Sequence, residues 1–333
     1  MKVFYETDAS LKFLKNKKIG IIGYGIQGRA QALNLRDSGI DVLIGNRKDN
    51  YNKTAIKDGF KVMSIDQVVK NSSVIMFLIP DQAQEKIFKE NFLENLNEND
   101  MLIFAHGYSI NFKKIVPPKY VDVCLLAPRM PGDPIRDYYL NGSGVPAFVD
   151  VHNNFSGSAW EILLGVAKGI GATRAGVMHI TFKEETETDL FIEQFLLPLI
   201  IKSIRLSFDE LSSKGFTPEA LLMELYASGE IGELILKAAK IGIYEVWEKN
   251  ASPTCQYGIY NNLDRVLDSD STRLIIHDTL KNIRNGRFSK ELDDEANLDY
   301  KNLNKYNLDN KKSDLAKAQS NLIKIIKTLE TAD

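Results

Sequence analysis

One hexapeptide constrains this chain more than any other stretch. Gly23-Tyr24-Gly25-Ile26-Gln27-Gly28 is a G-x-G-x-x-G pattern. Alone, the pattern is weak. Here it follows an uninterrupted β-branched run, KIGIIG at residues 18–23, and opens a helical pattern over residues 27–38. Strand, glycine turn and helix in that order make the dinucleotide-binding turn of an α/β domain. Gly23 allows the tight turn, Gly25 lets a pyrophosphate approach the backbone, and Gly28 lets helix pack on strand. The free N–H groups and dipole of the helix N-terminus then hold the phosphates. The bland alternative is a glycine-rich turn with no ligand.

The rest of the first half repeats the alternation. Further strand candidates lie at residues 41–45, 73–79, 101–105, 121–127 and 145–151, with helical patterns such as 81–96 between them. That order predicts βαβ units and a mostly parallel sheet of Rossmann type. After residue 181 no strand candidate remains. Residues 184–213 and 218–249 each read as long helix, and 271–285 and 313–329 as further helices. Residues 297–312, rich in Asn, Lys and Asp, read as an exposed, loosely ordered segment. The expected division is a dinucleotide-binding domain over residues 1–181 and an all-helical domain over residues 182–333.

Composition narrows the class. Of 333 residues, 42 are Lys or Arg and 44 Asp or Glu, a formal net charge of −2 that lacks the basic excess of a nucleic-acid binder. No apolar run reaches the ~20 residues of a membrane span, and the opening MKVFYETDAS has no signal-peptide core. Two cysteines, Cys124 and Cys255, make neither a disulfide framework nor a Cys-rich metal site. The expectation is a reduced, cytoplasmic protein whose partners are small molecules and copies of itself, with no nucleic acid and no membrane.

The end of the second strand sets cofactor choice. An acidic ribose ligand is expected there, but the chain reads Gly45-Asn46-Arg47-Lys48-Asp49-Asn50. Arg47 and Lys48 suit a 2′-phosphate and Asn50 or Asn52 adds neutral hydrogen bonds, so NADPH is expected. Asp49 is the contrary sign, and NADH stays open. A mixed charge run is also the usual makeup of a solvated loop.

A second informative stretch carries acid. Asp189 and Glu193 stand at i and i+4, on one face of a helix. Two hard oxygen ligands on one face suit Mg²⁺, although such pairs are common on solvated faces. Glu184, Glu185 and Glu187 crowd the same segment, which costs repulsion unless a cation is near. His106 follows the strand MLIFA, at an end that faces a nicotinamide crevice. A lone histidine there serves equally as a structural hydrogen-bonder.

Taken together these motifs resemble the short, class I ketol-acid reductoisomerases of branched-chain amino-acid biosynthesis. The resemblance runs through MKVFYETDASL, GYGIQGRAQALNLRDSGIDVLIGNRK, AHGYSI, LAPRMPGDPIRDYYLNGSGVPAF, FKEETETDLFIEQ, SPTCQYG and IRNGRFSKEL, nearly the whole chain. It implies a Rossmann domain, a knotted helical domain, and an active site shared between two subunits. It implies Mg²⁺-dependent alkyl migration in acetolactate, then reduction by NADPH to 2,3-dihydroxy-isovalerate. By position, Asp189, Glu193 and Glu224 match metal ligands, Glu224 being donated by the partner subunit. Ser252 matches the substrate-carboxylate contact, and His106, Arg129 and Glu193 the catalytic set.

The departures fall where metal and substrate would sit. Ser228 stands where the resemblance implies a second glutamate, and Arg129 where it implies a lysine. Arginine does not readily give up a proton, so that exchange is not conservative. Alkyl migration needs strong polarisation of the substrate oxygens, whereas hydride transfer needs less. The expectation is therefore at most one well-occupied Mg²⁺ and isomerisation below the family's level. Two other readings stay open: an NAD(P)H-dependent reductase of another 2-oxo acid or imine, and a non-catalytic nucleotide-binding regulator on the same scaffold.

Overall fold

A computed structural model describes residues 1–267 and 269–326, without the side chain of residue 264. The chain divides into two compact units, Met1–Asp189 and Leu190–Asp333.

The first unit is built on one nine-stranded sheet. Its strands are β1 (Val3–Phe4), β2 (Ile19–Ile22), β3 (Val42–Gly45), β4 (Lys61–Met63), β5 (Val74–Phe77), β6 (Met101–Phe104), β7 (Asp122–Pro128), β8 (Ala147–Asn153) and β9 (Val177–His179). The order across the sheet is β1-β9-β8-β7-β6-β5-β2-β3-β4. Pairing is parallel except between β7 and β8 and between β1 and β9. The six strands expected from sequence are all present, with ends within two residues of those read. The three that sequence reading missed, β1, β4 and β9, are two or three residues long, too short to show a period.

Eight α-helices accompany the strands: α1 (Ile26–Asp37), α2 (Asn50–Lys57), α3 (Ile65–Asn71), α4 (Asp81–Asn91), α5 (Tyr108–Asn111), α6 (Gly132–Leu140), α7 (Ala159–Gly169) and α8 (Phe182–Phe191). Helices lie on both faces, so the strands are apolar on both. Ile19, Ile21, Ile44, Met76 and Ile103 pack into one core with Leu35 and Val166. Ile22, Leu43, Ile75, Phe77 and Phe104 pack into the other with Val68, Phe88 and Phe92. The chain leaves β2 for β3 on one side and returns to β5 on the other. That reversal opens a crevice at the carboxyl ends of β2 and β5, where doubly wound folds bind ligands.

The second unit is helical, and three expectations need correction there. Residues 184–213 are not one regular helix: a π turn, Ile192–Leu196, separates α8 from Leu197–Ser213. Residues 218–249 are broken more thoroughly. The helix Pro218–Leu222 runs into a second π turn, Met223–Ala227, and then come separate helices Glu230–Ile241 and Ile243–Asn250. Gly229 and Gly242 take φ of +81° and +102° at the breaks, a backbone that interrupts a helix whatever the hydrophobic period. Residues 297–312 are not loose either: Lys301–Lys311 is a helix, exposed throughout. The expected helix over 313–329 is found as Asp314–Ile325, and residues 327–329 lie outside the described residues. Among the described residues no helix is long and apolar enough to cross a membrane.

Candidate active site

The carboxyl ends of the central strands enclose a cavity of about 610 Å³, lined among others by Tyr24, Gly25, Arg47, Asp81 and His106. The glycine turn shapes its floor. Gly23 has φ +97°, and a Cβ there would lie 2.7 Å from the Leu78 carbonyl oxygen. A Cβ on Gly28 would lie 2.0 Å from the Gly23 carbonyl oxygen, so only glycine lets α1 start this close to β2. Gly25 is different: a Cβ there would meet nothing within 4 Å, which leaves its backbone open to the cavity.

Neighbouring side chains brace that turn. Tyr24 is buried and its hydroxyl donates to Asp58 Oδ2 at 2.9 Å, while Arg29 Nε donates to the same oxygen at 2.8 Å. Burial, then the Asp58 carboxylate, pushes the phenol well above its ordinary range. Gln27 Nε2 donates to the Met130 carbonyl at 2.9 Å, and Ile26 is exposed on the rim. At the end of β3, Arg47 lines the cavity but its Nε is 2.9 Å from Asp49 Oδ2. Asp49 also caps α2 by accepting from Asn52 N–H at 3.0 Å. The contrary acid thus has a structural task. Lys48 and Asn50 are exposed and are not among the lining residues.

A charged cluster adjoins the cavity through His106. His106 and Gly107 form the turn between β6 and α5, and α8 packs on it. A Cβ on Gly107 would come within 2.6 Å of the Phe182 carbonyl and 2.5 Å of Thr186 Oγ1. Gly107 N–H donates to Glu185 Oε2 at 2.7 Å, and Glu185 is only 1% exposed. Arg129, at the end of β7, reaches Glu185 Oε1 at 3.3 Å with Nη1 and Asp189 Oδ1 at 2.5 Å with Nη2. His106 Nδ1 lies 2.9 Å from Asp81 Oδ2, at the start of α4. Its Nε2 has no hydrogen-bond partner among the described residues and stands 3.6 Å from Asp189 Oδ2.

The electrostatics follow from burial and neighbours. Burial pushes the Glu185 carboxyl up, against His106, Gly107 N–H and Arg129, to about 6. Burial alone would push His106 down. The Asp81 hydrogen bond and the charges of Asp81, Glu185 and Asp189 outweigh it and raise His106 to about 9. One ligand atom each from His106, Glu185 and Asp189 lies within 4.8 Å of the others. Once His106 gives up its Nε2 proton to an arriving ion, that nitrogen and the two hard carboxylates are a donor set that fits a divalent cation.

Of the residues singled out from sequence, His106, Arg129 and Asp189 are brought together in the first unit. Glu193 and Glu224 belong to the second, and both are exposed. Each sits in a π turn, a rare distortion that is frequent at functional sites. Ser252 caps the helix Pro253–Tyr260, its Oγ accepting from Cys255 N–H at 3.3 Å. Sequence reasoning missed Asp81 and Glu185 as members of the cluster. Glu185 precedes Asp189 by four residues and shares its helix face, a signal that was legible. Asp81 carried none beyond its place at a strand's end.

Residues 13–176 match the family model "Acetohydroxy acid isomeroreductase, NADPH-binding domain", and residues 182–328 match "Ketol-acid reductoisomerase, C-terminal domain". The chain is 44% identical over 301 residues to a ketol-acid reductoisomerase (NADP(+)) of Petrotoga mobilis, covering 89% of this chain and 90% of that one. It is 43% identical over 299 residues to that of Sulfurisphaera tokodaii, with 89% of each covered. A solved NADH-preferring ketol-acid reductoisomerase from an uncultured archean superposes with a TM-score of 0.92 at 32% identity, covering 98% of this chain and 99% of that one. The chain belongs to the ketol-acid reductoisomerase family and is an NAD(P)H-dependent enzyme.

Proposed function

We propose that this enzyme converts acetolactate to 2,3-dihydroxy-isovalerate with NADPH, by alkyl migration followed by reduction, in branched-chain amino-acid biosynthesis in the cytoplasm. The observation that carries the proposal is the position of His106. It lines the nucleotide cavity and also stands beside Asp189, so one residue joins the hydride donor's crevice to the acidic cluster.

In this reading residues 1–181 hold the nucleotide and residues 182–333 complete the metal and substrate site. Gly25, with Tyr24, Ile26 and Gln27, would lie against the pyrophosphate while Gly23 and Gly28 shape the turn, and the first turn of α1 would hold its charge. Arg47 would meet the 2′-phosphate from the cavity wall, with Lys48 and Asn50 reaching it from the exposed loop. His106, held by Asp81 through Nδ1, offers Nε2 toward the substrate's oxygens. Ser252 accepts a backbone hydrogen bond, which leaves its own proton to donate to the substrate carboxylate. Asp189, Glu193 and the partner subunit's Glu224 would hold Mg²⁺, with Glu185 close behind. When bound, Mg²⁺ supplies Lewis acidity that polarises the substrate's oxygens during migration. Ser228 brings no charge, so one Mg²⁺ is expected to be well occupied. The exposed apolar faces of the second unit support a homodimer or higher oligomer.

The test supplies acetolactate and its rearranged 2-keto product separately, each with NADPH and Mg²⁺. Turnover of both is expected, with acetolactate the slower. Turnover of the 2-keto product alone would reduce the enzyme to a plain reductase. Turnover of neither would defeat the proposal.

A further inference from the structure

We propose that Arg129 is a built-in counter-ion for the Glu185–Asp189 pair, which a divalent cation must displace from Asp189 in order to bind. The inference rests on the metal reading above and adds a competition to it. Arg129 spans both carboxylates, 3.3 Å from one and 2.5 Å from the other. Its position is not that of a free surface side chain. Its backbone N–H donates to the Pro146 carbonyl at 2.9 Å, which fixes it at the β7–β8 edge. The guanidinium also lies 4.8 Å from the centre of the Phe148 ring, within cation–π range.

Charge explains why it stays. Glu185 is buried, and Asp189 is four residues on along the same helix, so without a cation the two carboxylates repel across a poorly solvated gap. Arg129 supplies a permanent cation there, beside the titratable His106, whose charge also faces both carboxylates. A lysine could lose its proton and withdraw; a guanidinium keeps its charge at any working pH. A divalent ion on Asp189 therefore meets a fixed positive charge on the same carboxylate. Either Arg129 gives up Asp189 or the ion stays out. Apparent metal affinity is then the intrinsic affinity scaled by the fraction of molecules in which Asp189 is released.

The test measures Mn²⁺ binding to the full-length protein by electron paramagnetic resonance, without substrate or nucleotide. Wild type is compared with Arg129→Gln, which keeps a hydrogen-bond donor, and Arg129→Met, which keeps the stem. Both variants should bind Mn²⁺ about tenfold more tightly, as for a competitor that holds the site in roughly nine molecules of ten. A second measurement needs no stable variant: Mg²⁺ added to wild type should shift the Arg129 Nε–H resonance. Unchanged or weaker Mn²⁺ affinity in the variants, or an Arg129 resonance that ignores Mg²⁺, overturns the competition and leaves the metal reading standing. Failure of all three proteins to bind Mn²⁺ overturns the metal reading and this inference with it.

Discussion

Compare how the two units treat their apolar side chains. In the first, Ile19, Ile21, Ile22, Ile75 and Met76 have no exposed surface at all, because helices cover the sheet on both faces. In the second, among the described residues, the buried side chains gather in one small cluster of Phe208, Leu221, Leu222, Ala318 and Leu322, with Val246 and Ile283 buried apart from it. Along Glu230–Ile241, meanwhile, Ile231, Ile235 and Leu236 are each about half exposed, at 49%, 51% and 51%. Ile192, Leu196, Ile200 and Ile201 are also exposed on the preceding helical run. Scattered exposed apolar residues are ordinary, but rows of them at helical spacing mark a surface that is covered by something. The first unit satisfies its hydrophobic demand within one chain. The second leaves many apolar side chains uncovered within one chain.

The largest predicted effect breaks the first unit's function without touching its packing. Gly25→Val should abolish detectable NADPH binding, because the new side chain occupies the space where the pyrophosphate would lie. Since a Cβ there meets nothing within 4 Å, the melting temperature should hold. Fluorescence titration of NADPH checks the first part and calorimetry the second; full affinity in the variant would remove the glycine turn from the nucleotide site.

The next effect sharpens the contrast itself. Ile235→Asp changes a half-exposed residue, which in a monomer should cost within about 0.5 kcal/mol. If that face is buried against a second copy, the same change should weaken association by about 2 kcal/mol or more. Sedimentation should then show a wild-type dimer and a dissociating variant. A stable 37.5 kDa wild-type monomer at micromolar concentration would remove the need for a partner.

A smaller effect concerns cofactor choice. Replacing Arg47 and Lys48 together with Ala should cost about 1–3 kcal/mol of NADPH affinity, as for charge-assisted hydrogen bonds. NADH affinity should barely change. Equal losses for both nucleotides would show that the loop does not read the 2′-phosphate.

The smallest effect is a slope. In the folded protein without added metal, His106 is raised from its ordinary 6.5 to about 9, so folded protein binds that proton more tightly than unfolded. Its stabilisation is complete below pH 6.5 and is lost as pH rises through about 9. Glu185, raised from 4.5 to about 6, acts in the same sense but in the lower window between those values. Thermal melts between pH 7 and 10 should therefore fall with pH, and His106→Gln should flatten the fall. An equal slope in both proteins would mean that His106 does not carry it.

How much was legible varies with the kind of signal. The six long strands, the glycine turn and the helix after it are local patterns, and they stand where their periodicity puts them. The helix breaks at Gly229 and Gly242 were marked only by glycines within an apolar period, and the period hid them. The two π turns left no pattern in sequence, because inserting one residue's worth of extra turn changes backbone register and not composition. In the site, Asp189 was found through its i,i+4 partner, but the contact that defines it, with Arg129 sixty residues away in sequence, was not.

The chain's own pattern determined the six longer strands, the nucleotide turn and the acidic helix, since each depends on residues within a few positions of one another. Only the tertiary structure decided that the ends of β6 and β7 and the start of α4 meet beside α8. That convergence puts Asp81 on His106 and Arg129 between Glu185 and Asp189. The physical reason is range. Propensity and hydrophobic period act over one or two turns of chain, whereas a charge in a poorly solvated site answers to whatever the fold brings within a few ångströms, from any distance along the sequence.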